Sequence, residues 1–384
     1  MHGDIWKLCL YTFLEFGRLI TFFIFALHLL CGACTYPHLI SMVGLSFVLP
    51  FFLSSLQSGI ASDHFSKSHL LLFLEAAQIV TCVIGLLLLF VSPVLSFFFC
   101  LILFSLLSPL FLITIDGYTV ETYPKTSLFS LRLIYFIAFV IAVLSFQYFS
   151  PIELSVRSLV ILYSSLLFLA LATFPLAVFL PSGMPMSFKK GWLILPLHEP
   201  IIALLEFKRV PKLRPLFLLE VSCFYLMGQL IFVSLQDISH LLLDFFLLGS
   251  FIGIGFYYLM YRNRPIKWTP LVMMMASAAA LFFSFPEITF TLRSFFTLIV
   301  AVTLTPAYLT VHELFTKKSP GEYRGRNLST LYFYGSVAFF IPLIFLHNAS
   351  PSSIFFYTLF SFLVLISLYI ALFFALRPHK LATL

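Results

Sequence analysis

Charge is what this sequence has least of. It carries 15 acidic and 22 basic side chains in 384 residues, 10% in all, against 61% hydrophobic. A soluble domain needs about 25% charged residues to cover its surface, so a water-soluble globule is excluded. A mean hydropathy of +1.08 marks a polytopic membrane protein instead. Cysteine is sparse too, with six residues. Cys9, Cys82, Cys100 and Cys223 fall in or near apolar stretches, and Cys31 and Cys34 are spaced C-x-x-C. That pair lacks the following His of haem attachment and the second pair that zinc requires, and reads as small residues at a helix end. No P-loop occurs, which argues against ATP drive within the chain. Neither H-x-x-x-x-D nor D-D-x-x-D occurs, because His240 and Asp244 are too closely spaced. A membrane acyltransferase or prenyltransferase is therefore disfavoured. No enzyme activity, metal or cofactor is expected.

What the chain has is hydrophobic length. Stretches of about 20 apolar residues give six spans near 8–32, 38–60, 69–91, 94–115, 128–149 and 155–180. Six more follow near 215–236, 240–261, 269–286, 288–311, 327–347 and 351–376. The expected fold class is an all-α polytopic membrane protein with twelve transmembrane helices in two six-helix halves. The domains are 1–180, a cytoplasmic loop at 181–214 and 215–384. The first apolar stretch is too long for a signal-peptide core and is followed by further spans.

A net charge of +7 could suggest nucleic acid in a soluble protein, but here lysine and arginine report topology. With the N-terminus inside, the inner segments carry Lys7, Lys67, Lys125, Lys189, Lys190, Lys208, Arg209, Lys212 and Arg214. Arg262, Arg264, Lys267, Lys317, Lys318, Arg324, Arg326, Arg377 and Lys380 continue the series. The outer connections carry almost none. Both termini are therefore expected in the cytoplasm.

Ionisable residues at membrane depth are costly and tend to be functional. Glu15 and Arg18 lie three apart and share a helix face. Two readings stay open: Arg18 reaches the inner surface with Glu15 neutralising it, or the pair faces a cavity and meets a zwitterionic or anionic head group. Glu75 and Glu220, at inner span ends, are expected to pair with loop arginines. Asp237, His240 and Asp244 mark an outer turn. Asp116 and Glu121, around Gly117-Tyr118, are expected to dock on basic inner loops as an inner-gate salt bridge. Fifty phenylalanines suit lipid contact, and a cavity lined by them would suit an acyl chain better than a sugar.

The most informative stretch is Gly59-Ile-Ala-Ser-Asp63-His-Phe-Ser-Lys67-Ser-His69, a polar hairpin between two apolar spans. Its small residues permit close helix approach. Asp63 is expected to face the N-terminus of the helix beginning near Ser68, and Lys67 to hold the turn inside. Gly253-Ile-Gly255 running through Arg262 and Arg264 to Trp268 is its counterpart in the second half.

This spacing resembles the loop between helices two and three of major facilitator superfamily transporters, G-x-x-x-D-R-x-G-R-K, with His64 in place of the arginine. Leu49-Pro50-Phe51-Phe52 leading into Gly59–Lys67 is similar to bacterial lysophospholipid transporters. It is especially similar to the transporter part fused to acyl-ACP synthetase/2-acylglycerophosphoethanolamine acyltransferase. Ser250–Gly255, Ile266–Leu271 and Arg324-Gly325-Arg326-Asn327 resemble the same group in order. The chain departs from it at Phe16-Gly17-Arg18-Leu19, where that group has F-G-D-N, and at Asp116–Glu121, where it has K-Y-G-x-L-P-E.

The resemblance implies a transporter moving lysophospholipid from the outer to the inner leaflet of a bacterial inner membrane. A facilitator transporter of another small solute is the alternative. The candidate inner-gate residues are Gly59, Asp63, Lys67, Asp116, Glu121, Gly253, Gly255, Arg262, Arg264, Arg324 and Arg326, and Glu15 and Arg18 are candidate cavity residues. Implied partners are a membrane lipid or small-molecule substrate and a separate cytoplasmic acyltransferase/acyl-ACP synthetase. No nucleic acid is expected, and a monomer is.

Overall fold

A computed structural model describes residues 5–32, 37–123, 155–181, 213–236, 240–256, 265–284, 288–346 and 351–375, with a few positions between 134 and 141. Every apolar span expected from the sequence is helical except the one near 128–149, which lies almost wholly outside the described residues. The helices are α1 (Ile5–Gly32), α2 (Pro37–His64), α3 (Lys67–Leu88), α4 (Pro93–Thr122) and α5 (Val156–Val178). After the central loop come α6 (Leu213–Gln236), α7 (His240–Phe256), α8 (Pro265–Phe283), α9 (Phe290–Lys318), α10 (Arg324–Leu346) and α11 (Pro351–Ala375). Among the described residues, five stretches, Lys67–Leu88, Pro93–Thr122, Val156–Val178, Phe290–Lys318 and Ser352–Phe373, are long and apolar enough by themselves to cross a membrane. The protein is a multi-pass membrane protein.

Helix starts follow from local chemistry. Ser92 caps α4 by accepting from the Leu95 N–H at 3.4 Å, with Pro93 in the first turn. Ser155 caps α5 by accepting from the Ser158 N–H at 3.2 Å. The α4 and α9 helices continue about two turns past their apolar spans, so Asp116, Glu121, His312 and Glu313 are helical. Buried hydroxyls along these helices bond to their own backbone, as Ser108 does to the Phe104 carbonyl at 2.6 Å and Thr119 to the Ile115 carbonyl at 2.7 Å. Large apolar side chains such as Phe73, Phe168, Phe251, Phe356 and Phe360 point outward, as a lipid-facing surface requires.

The chain divides into two compact units, Met1–Leu204 with Ser319–Phe333 and Leu205–Lys318 with Tyr334–Leu384. The segment 319–333, expected with the C-terminal half, belongs to the first unit. In the first, α2 packs on α4, α3 on α4 and α5, and α1 on α5. In the second, α7 packs on α9, α8 on α9 and α11, and α6 on α9. These are matching pairings of the second, third and fourth helices in each group of six. An internal proline repeats as well: Pro109 and Pro306 each stand sixteen residues after their helices begin. The repeat is visible in packing, where the sequence shows only the short glycine-and-basic echo.

Close approach depends on glycine. A Cβ at Gly249 would lie 2.6 Å from the Leu298 carbonyl oxygen, and one at Gly253 2.9 Å from that of Val302. This small-x-x-x-small face lets α7 lie against α9. Gly255 faces open space. Gly253→Leu is expected to destabilise the second unit by roughly 1–3 kcal/mol through overpacking, while Gly255→Ala leaves stability unchanged. Thermal unfolding of the two variants in detergent compares them directly.

Candidate functional site

The polar hairpin is built at the end of α2. A Cβ at Gly59 would stand 2.7 Å from the Gly325 carbonyl oxygen, and one at Gly325 would stand 2.6 Å from Asp63 Oδ1. The first turn of α10 thus rests directly on α2. Asp63 Oδ1 accepts from the Gly325 N–H at 2.7 Å and Oδ2 from the Arg326 N–H at 3.1 Å. The carboxylate therefore caps α10, not α3 as expected. Asp63 still belongs to the last turn of α2, and its side chain leaves on the face where glycine admits α10. Two first-turn amides and the positive end of a helix form a strong anion site. The α3 N-terminus makes no side-chain cap bond with Ser66.

Around this cap the charges balance. Lys67 Nζ lies 2.9 Å from Glu121 Oε1, and Arg324 Nη1 lies 3.4 Å from the same oxygen. Arg326 Nε is 4.0 Å from Asp63 Oδ2, and its Nη2 donates to His64 Nε2 at 3.5 Å. Asp116, fully buried, accepts from the Tyr332 hydroxyl at 3.2 Å. The Lys67 stem runs over Gly117, where a Cβ would meet its Cε at 2.7 Å. Three carboxylates and three cations thus gather in one place, from α2, α3, α4 and the start of α10. The structure brings together Gly59, Asp63, Lys67, Asp116, Glu121, Arg324 and Arg326. Gly253 and Gly255 lie in the second unit, and Arg262 and Arg264 lie outside the described residues. So do Asp237, Lys125, the 183–212 connection and Cys34, as do the side chains of His240, Asp244 and Lys267.

Deeper in the first unit lies a second polar cluster, with every member at 0% exposure. Arg18 Nη2 contacts both Glu15 Oε2 and Glu75 Oε2, the latter at 2.9 Å. Arg18 Nη1 donates to Thr173 Oγ1 at 3.2 Å. The Thr173 hydroxyl is 2.7 Å from Glu75 Oε2, and Gln78 Nε2 donates to Glu15 Oε1. Glu75 therefore pairs with Arg18 of α1 and not with a loop arginine, because its position faces the interior of the unit where α1 and α3 meet α5. The long side chains of α1 reach across to α3.

In the second unit Glu220 of α6 pairs with His312 Nδ1 of α9, both fully buried, with Thr316 Oγ1 3.5 Å from Nε2. The Tyr308 ring stands 5.7 Å from the imidazole. This too replaces the expected loop arginine: α9 runs on past its apolar span and supplies a partner from within. Nearer the middle of α6, the Tyr225 hydroxyl lies 3.0 Å from that of Tyr357 and also bonds Ser361. Sequence reasoning missed Gln78, Thr173, His312, Tyr332 and this hydroxyl group. Gln78 follows Glu75 at the same i, i+3 spacing that drew attention to Glu15 and Arg18, so that signal was present. The others are single polar residues in apolar helices, without a local pattern.

No protein-family model and no curated protein matches the sequence. Solved structures do. The Escherichia coli fucose:proton symporter FucP aligns with a TM-score of 0.73 at 12% identity, covering 97% of this chain and 98% of that one. The chain has the major facilitator fold. The human organic anion transporter MFSD10 aligns with a TM-score of 0.68 at 14% identity over 97% of this chain and 99% of that one. The proton:xylose symporter XylE gives 0.68 at 13% over 97% and 95%. In this facilitator fold the capped start of α10 and the two buried clusters are the candidate working parts.

Removing one partner of a buried ion pair costs about 3–5 kcal/mol, so Arg18→Ala is expected to lower thermal stability sharply. Glu121→Gln, which removes the carboxylate shared by Lys67 and Arg324, should lower it more than Glu313→Gln. The latter removes the i, i+4 pair with Lys317 at 2.6 Å, where a surface pair contributes about 0.3–0.5 kcal/mol. Equal losses for these last two variants would contradict the bridging role of Glu121.

Proposed function

We propose that this chain is an alternating-access membrane transporter that carries a lysophospholipid from the outer to the inner leaflet of a bacterial inner membrane, its termini cytoplasmic. The fold is the one used by the symporters and the anion transporter above. The cargo reading is carried by one observation. An apolar groove of about 320 Å³ lies between α7 and α9, lined by Phe245, Phe290, Thr291, Ser294, Phe295 and Leu298. It lies beside Phe290, the first residue of α9, and Phe245, in the second turn of α7. A single acyl chain can stay in such a groove, whereas a polar head group cannot cross hydrocarbon unaided. The motif runs at Leu49–Lys67, Ser250–Leu271 and Arg324–Asn327 support the same cargo. In this reading Asp63, Lys67, Glu121, Arg324 and Arg326 form the inner latch, a cytoplasmic acyl-ACP synthetase/acyltransferase re-acylates the delivered lipid, and the transporter works as a monomer.

A second reading, transport of a small polar solute such as a sugar, draws on the Tyr225, Tyr357 and Ser361 hydroxyls. Proteoliposomes loaded with fluorescent lysophosphatidylethanolamine discriminate the two. Flipping above empty vesicles is expected, severalfold slower in Phe295→Ser and unchanged in Tyr225→Phe. No flipping above the control, or the reverse order of the two variants, removes the lipid reading. For topology, a cysteine placed at 263 is expected to react only with reagents that reach the cytoplasmic side.

A further inference from the structure

The Glu15–Arg18–Glu75–Gln78–Thr173 cluster has an unbalanced charge count. Two carboxyl groups share one guanidinium, all three fully buried among α1, α3 and α5. The Arg18 contacts run to Glu15, Glu75 and Thr173 only. Among the described residues, Lys67 is the other buried cation of these helices, and it pairs with Glu121. Asp116 of α4 is held at the level of Lys67 and Gly117. Glu75 lies eight residues farther along α3, about 12 Å by helical rise. The buried Tyr11, Tyr163, Cys82 and Cys100 supply no positive charge. An uncompensated negative charge at this depth would cost several kcal/mol.

The hydrogen bonds say where compensation goes. Both oxygens of Glu15 are occupied, one by Arg18 and one by the Gln78 amide N–H. The Gln78 orientation follows from that bond, since only its nitrogen can donate to a carboxylate. Glu75 Oε2 is occupied twice, by Arg18 and Thr173. Two acceptors remain without a partner, Glu75 Oε1 and Gln78 Oε1. They belong to residues three apart on one helix face. A metal cation would need a fuller shell of oxygens, about six or more for the common divalent ions. A single proton needs one oxygen to hold it and one to receive it.

We propose that this cluster is a proton-binding site, in which Glu75 is a neutral carboxylic acid whose Oε1–H donates to the Gln78 carbonyl oxygen. One proton removes the excess charge and satisfies both unpartnered oxygens. Glu15 remains the ionised partner of Arg18. The proposal holds whatever the transported cargo, and its test uses none.

The full-length protein in detergent is examined by infrared spectroscopy in H2O and D2O at neutral pH. The wild-type spectrum is expected to contain a protonated-carboxyl C=O band, shifted by deuterium, that is lost in Glu75→Gln. Loss of the same band is expected in Glu15→Gln, where Glu75 becomes the sole counter-ion of Arg18 and ionises. Glu121→Gln keeps it. Glu75→Gln is nearly isosteric with the neutral acid and is expected to unfold within a few degrees of wild type, so band loss reports protonation and not misfolding. A wild-type band unchanged in Glu75→Gln overturns the proposal. So does a thermal stabilisation by sodium or potassium chloride over choline chloride that disappears in Glu75→Gln, since a metal ion would then hold the site.

Discussion

A charged side chain surrounded by hydrocarbon has no water to stabilise it, so its partner must come from another part of the protein. At the bilayer centre such a residue costs about 2.5–3.5 kcal/mol even by the mildest measure. Each buried ionic group described in this chain meets that requirement through a contact between helices. Arg18 of α1 is held by Glu75 of α3, Glu220 of α6 by His312 of α9, and Lys67 of α3 by Glu121 of α4. These pairs set the register of helices whose apolar faces would otherwise slide past one another, because lipid chains are as apolar as leucine and favour no particular alignment.

Glycine supplies the second half of this logic. A hydrogen bond of 2.7 Å from Asp63 to the Gly325 amide requires two helices to approach backbone to backbone, and a side chain at Gly59 or Gly325 would hold them apart. Small residue and acidic residue therefore work as one unit four positions apart in the sequence. The acid accepts from the first-turn amides of α10, and the glycine makes room for them. Where no charge is involved, as at Gly249 and Gly253, the same proximity gives packing of α7 on α9 alone.

The membrane class and helix positions were legible because hydrophobic length is a local property. Stretches such as 94–115 and 351–376 announce themselves, and the helices found there differ mainly in where they end. Helix ends were harder: α4 and α9 run on through Asp116, Glu121 and His312, since backbone hydrogen bonding continues after hydrophobicity stops. The hairpin residues Gly59, Asp63, Lys67, Glu121, Arg324 and Arg326 were recognisable by spacing and resemblance. The partner of Asp63 was not, because α10 lies more than two hundred residues away and nothing near Asp63 encodes it. Thr173 and His312 carried no local pattern to connect them to Arg18 or Glu220, whereas Gln78 shared the i, i+3 spacing with Glu75.

Composition and apolar run length by themselves determined that this chain spans a membrane many times and where its helices lie, because burial in lipid acts on each segment separately. Which carboxylate meets which cation was decided only by tertiary structure. Glu75 could have paired with a loop arginine or with Arg18 at equal cost in sequence terms. The packing of α1 and α3 against α5 decided it, by enclosing both groups where no water remains to offer an alternative.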